Sequence, residues 1–129
     1  MAILPIIQPD NPILLKKAYK ISKFDDPVLQ QLIEDMAETL AEARGVGLAA
    51  PQVAQSIRLI LVRLPDETDE DRKEYGDQAG KLHIFLNPKI TKESREMVSG
   101  VEGCLSMPGL LGEVDRHEMV VVTGQDRAG

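Results

Sequence analysis

Apolar and polar positions alternate along this chain in three different rhythms, and each predicts a different kind of element. Between residues 1 and 24, short apolar runs are broken by Pro5, Pro9 and Pro12, which predicts an irregular arm with one helical turn. Leu29, Leu32, Ile33, Met36 and Leu40 then recur at i, i+3, i+4, i+7 and i+11, the spacing of a single helical face. Asp26 ahead of Pro27 suits an N-cap followed by the first helical position. Arg44 and Gly45 offer a C-terminal cation and a left-handed stop. The pattern predicts a helix over about 27–44.

After residue 45 the rhythm becomes that of strands. "IRLILVRL" (57–64) reads as a core strand, "LHIFL" (82–86) as a second, and "NPK" after it as a turn. A third short run, about 97–101, leads into "EGCLS" (102–106). "EMVVVTG" (118–124) reads as a fourth strand, apolar on both faces and so expected to be covered on both. The charged stretch "DETDEDRKEYGDQAG" (66–80) has no period and predicts a solvated loop. "GQDRAG" (124–129) is turn chemistry of the kind that joins two hairpin strands. Its place at the end of an apolar strand suggests a single domain whose front part is in hand, with the strand open to self-association into a homo-oligomer.

Composition narrows the class. The 129 residues hold 43% hydrophobic side chains with no Trp, two Phe and two Tyr, so the core must be aliphatic. A net charge of −6 opposes direct binding of nucleic acid through its phosphates. One cysteine cannot make an internal disulfide and suits a reducing compartment. The opening residues lack the basic region and apolar length of a signal peptide, and nothing approaches a membrane span. These readings together predict a soluble cytoplasmic protein.

Two stretches carry candidate chemistry. In "GVGLAAPQ" (45–52), Gly45 and Gly47 allow close backbone approach, and the Gln52 amide can donate to a carbonyl oxygen or its anion. The same residues also fit a helix stop followed by a buried strand. In "EGCLS", Cys104 is a soft donor for zinc or iron, a potential nucleophile, or a small buried hydrophobe. Only His83 and His117 could assist it, and each sits in or beside a strand where a structural role is the simpler reading.

Taken together, in this order and about fifty residues apart, the two stretches resemble peptide deformylase. The resemblance extends through "DMAETLAEARGVGLAAPQV", "FLNPKI", "VEGCLSMPG" and "VDRHEMVVVTGQDRAG". That family removes the formyl group from the initiator methionine of nascent proteins. The resemblance implies an α+β fold, with short antiparallel sheets packed around one main helix. It implies N-formylmethionyl peptides as substrate and a divalent iron, zinc or nickel ion as cofactor. Cys104 would be a metal ligand, while the Gln52 amide and the Leu105 N–H would hold the formyl oxygen. Gly45, Val46 and Gly47 would line the peptide, Gly100 and Val101 would flank the methionine pocket, and Glu102 would brace the cysteine loop. The family's third motif, H-E-x-x-H, does not occur in these 129 residues. The chain alone is therefore expected to be inactive, to bind no metal tightly, and at most to bind N-terminal peptides or itself.

Overall fold

The computed structural model describes residues 3–129, with Pro108 described by its backbone alone. Its main helix, α1, spans Pro27–Ala43, with Asp26 as N-cap accepting from the Val28 N–H at 2.9 Å. Leu29, Ile33, Met36, Thr39 and Leu40 are its buried residues, so the predicted stripe is the one that enters the core. Thr39 was not foreseen on that face. Its hydroxyl donates to the Asp35 carbonyl and accepts from the Leu4 N–H, tying the arm to the helix.

The helix stop differs from expectation. Arg44, not Gly45, takes the left-handed conformation, with φ 55° and ψ 35°. A non-glycine residue there costs about 1 kcal/mol. Gly45 serves a different need: a Cβ on it would lie 2.8 Å from Leu105 Cδ1 and 3.1 Å from Leu40 Cδ1. The glycine is used for close approach, so the turn falls one residue earlier.

Six strands follow: β1 (Gly47–Ala49), β2 (Leu59–Arg63), β3 (Leu82–Glu93), β4 (Met97–Cys104), β5 (Met107–His117) and β6 (Val120–Gln125). They form a four-stranded sheet of order β1-β2-β3-β6 and a separate β4-β5 hairpin, with every pair antiparallel. Leu59 and Leu61 of β2 and Leu86 of β3 are fully buried and meet Ile33, Met36 and Leu40 of α1. Every buried hydrophobic side chain among the described residues is aliphatic or methionine. The α+β architecture is the expected one.

Three local readings need correction. "NPK" is not a turn: β3 runs through it as an irregularity, with Asn87 at φ 52° and the register to β6 shifting between Leu86 and Lys89. Proline has no N–H to give a ladder, and a bulge is where a strand tolerates it. The charged stretch is solvated but not all loop. It contains a short helix, α2 (Asp69–Tyr75), started by a capping box in which Thr68 and Asp71 bond each other's backbone N–H groups. Finally, β6 is not covered: Met119 is 72% exposed, and Val120, Val121 and Val122 are exposed too. The strand lies at the sheet edge, and its apolar run meets open surface.

The arm is fixed by polar contacts rather than by regular structure. It makes one 3₁₀ turn, Pro12–Leu15, and one parallel bridge, Tyr19 to Ile57. Ile7 donates to the Gln52 carbonyl, and both backbone groups of Ile21 bond the Asn87 side chain, at 2.7 and 2.8 Å. At the other end, the expected turn forms beyond Gln125. Arg127 in that turn exchanges hydrogen bonds with Gln30 and pairs with Glu34 at 2.7 Å, both on α1. No described helix is long and apolar enough to cross a membrane.

Candidate active site

The stretch after α1 is built to present one amide group. β1 is an edge strand, hydrogen-bonded to β2 on one side only. In an antiparallel ladder the hydrogen bonds alternate sides. Because Arg63 N–H donates to the Val46 carbonyl, the backbone groups of Gly47 point to the open side. A 3₁₀ turn, Ala50–Val53, then folds Gln52 back toward the strand. The Gln52 Oε1 accepts from the Ala49 N–H at 2.9 Å, which leaves the amide NH₂ facing outward. That NH₂ donates to Ser106 Oγ at 3.2 Å and approaches Cys104 Sγ at 3.5 Å.

The partner group arrives on the hairpin. Cys104 pairs with Met107, so Leu105 and Ser106 form the two-residue tip. Leu105 packs against Gly45 and Leu40, docking the tip on the end of α1. Ser106 is 3% exposed, whereas Cys104 stays open to solvent as a free thiol. Between the two stretches lies a cavity of about 550 Å³. Gly45, Val46, Gly47 and Gln52 line it on one side, with Cys104, Leu105, Met107, Leu110 and Leu111 on the hairpin side.

Gly100, Val101 and Glu102 do not line this cavity. Val101 is 71% exposed on β4. Glu102 makes a bidentate pair with Arg116 across the hairpin, the shortest contact 2.8 Å. That hydrogen bond holds its carboxyl below the usual 4.5 and raises the Arg116 guanidinium. His83 stacks on Phe85 within β3. The His117 ring meets the Ser94 carbonyl through Nδ1 and Glu93 through Nε2. The sequence reading gave no role to Ser106, and read Arg44 only as a cation at the helix end. A serine two residues past the cysteine was a weak signal, because nothing in the pattern says that its hydroxyl turns inward.

The donor set decides how far a metal can be argued. Cys104 offers one accessible soft ligand, but no three His, Cys, Asp or Glu side chains among the described residues are grouped to hold an ion. A tetrahedral catalytic site needs about three protein ligands. These residues suit one corner of such a site and do not form one.

Comparison with known proteins agrees with the fold. A family model described as polypeptide deformylase matches residues 3–129. Peptide deformylase 2 of Nostoc sp. is 45% identical over 128 residues, covering 98% of this chain and 69% of that protein. The peptide deformylase of Symbiobacterium thermophilum is 43% identical, with 100% of this chain and 54% of that protein aligned. Among solved structures, peptide deformylase from Thermotoga maritima superposes with a TM-score of 0.85 at 32% identity, covering all of this chain and 78% of that one. A Met-Ala-Ser-bound class I type b peptide deformylase from Acinetobacter baumannii gives a TM-score of 0.85 at 36% identity, covering 99% and 79%.

Proposed function

Because this chain belongs to the polypeptide deformylase family, we propose that it provides the peptide-binding wall and the oxyanion side of a formamide hydrolase acting on N-formylmethionyl peptides. The observation that carries this reading is the Gln52 amide, oriented by the Ala49 N–H and held in the cleft beside Cys104. An amide fixed before the substrate arrives can donate to the formyl oxygen as charge develops there, giving up its long contact to Cys104 Sγ for the stronger acceptor. The Leu105 N–H, at the neighbouring hairpin tip, is the second donor in this reading. The peptide lies along the open edge of β1 as an added strand, taking the outward groups of Gly47. Cys104 would hold one ligand position of a divalent iron, zinc or nickel ion, which when bound would supply the activation of water. Glu102 and Arg116 stiffen the hairpin that carries the cysteine.

The 129 residues alone supply one ligand where about three are needed, so weak metal binding and no formate release are expected of them. Titrating the chain with Met-Ala-Ser while following amide NMR signals should move Gly45, Val46, Gly47 and the Gln52 side chain. Titration with zinc should show no tight stoichiometric site, and formyl-Met-Ala-Ser should release no formate. Peptide shifts confined to other surfaces would refute the binding reading. Tight zinc with formate release would refute the donor count.

A second reading, compatible with the first, rests on β6. Its exposed valines and free edge suit antiparallel pairing with the same strand of a second copy. Sedimentation at tens of micromolar is expected to show dimers, and replacing Val121 with Lys should return the chain to monomer. A clean monomer before substitution would end this reading.

A further inference from the structure

The cavity beside Gln52 and Cys104 has a single charged residue on its lining, Arg44. Its guanidinium has no hydrogen bond or ion pair among the described residues, unlike Arg58, Arg63, Arg72, Arg116 and Arg127. The position is also an uncomfortable one for arginine. Its backbone is left-handed, φ 55° and ψ 35°, at a helix end where glycine or asparagine would sit without strain. A residue held against its conformational preference at the rim of a cleft is a candidate for a role in that cleft.

Geometry says what Arg44 would meet. Gln52 is fastened at the Ala49 end of β1, and Arg44 lies past the Gly47 end. An extended peptide advances about 3.3 Å per residue. One that starts at Gln52 and runs along β1 therefore brings its third residue toward Arg44. A second, smaller cavity of about 280 Å³ shares Arg44, Gly45 and Val46 and continues the surface toward Arg63, Asp66 and Glu67. Beyond Arg44 the charges are mixed, and Arg44 is the one charged residue that lines both cavities.

Resting on the peptide-binding reading above, we infer that Arg44 is a specificity-determining residue that selects an acidic side chain at the third position of the bound peptide. The bland alternative is that Arg44 only offsets the negative end of the α1 dipole. That role would affect helix stability and leave peptide choice untouched.

The test uses C-terminally amidated Met-Ala-Asp, Met-Ala-Ser and Met-Ala-Lys, titrated against the chain and followed by NMR. At low ionic strength, Met-Ala-Asp should bind about 3- to 5-fold more tightly than Met-Ala-Lys, the size expected of one exposed charge pair, with Met-Ala-Ser between them. About 0.5 M salt should remove most of the difference, because the Debye length then falls well below 10 Å. The variant Arg44→Gly relieves the strained backbone, so it should fold at least as well while losing the discrimination. Arg44→Glu should reverse the order of Met-Ala-Asp and Met-Ala-Lys. Equal binding of the three peptides by the native chain, or a preference that survives Arg44→Gly, overturns the inference and leaves the peptide-binding reading standing. Failure of all three peptides to bind overturns both.

Discussion

Asn87→Ala should lower unfolding stability by about 3 kcal/mol. Three effects coincide at this residue. Its side chain donates to the Ile21 carbonyl at 2.8 Å, accepts from the Ile21 N–H at 2.7 Å, and donates to the Gln125 side chain at 2.8 Å. Truncation leaves two backbone groups of a 7%-exposed residue without partners, and each costs about 1–3 kcal/mol where water does not reach it. Alanine must also adopt φ 52°, which asparagine tolerates better. Asn87→Gly separates these effects: it removes the backbone strain but not the lost hydrogen bonds, and should recover about 1 kcal/mol. Urea denaturation of the three proteins measures this. A loss below about 1 kcal/mol for the alanine variant would mean that the arm is held by its apolar contacts instead.

Gln52→Leu is the substitution with the largest expected effect on chemistry. In a form of the protein whose metal has its full ligand set, turnover of formyl-methionyl peptides should fall about 100-fold, the usual result of losing one oxyanion donor. KM should change little, because the donor matters most once charge has developed on the formyl oxygen. The exchange also removes an acceptor from the Ala49 N–H. A small drop in melting temperature is therefore expected alongside. Unchanged turnover would take Gln52 out of the oxyanion role. A large thermal loss with little kinetic change would make its amide a structural brace for the turn that follows β1.

The elements that could be read from sequence are those whose burial is one-sided and regular. The stripe Leu29, Ile33, Met36 and Leu40 enters the core as written, and so does the alternation of Leu59 and Leu61. The β4-β5 hairpin was only half visible, because it is exposed along most of its length and no apolar period marks it. β6 misled for the opposite reason: four apolar residues in succession imply cover, yet the strand is an edge. At the site, Gln52 and Cys104 stood out by residue type and motif. Ser106 and Arg44 did not, since neither the inward turn of the one hydroxyl nor the left-handed backbone of the other residue is written in residue type. Neither property is periodic, so neither leaves a pattern in the chain.

The ties that hold α1 and the arm in place join residues far apart in the sequence. Thr39 receives Leu4 from 35 residues away, Asn87 receives Ile21 across 66, and Gln30 meets Arg127 across 97. Contacts of such separation must close long loops before they return any stability, so folding should be slow for a chain of this size, on the order of milliseconds to seconds. A ribosome releases α1 long before Arg127 exists. During that interval the buried face of the helix can meet β2 and β3, while its outer face waits for Arg127 to latch it.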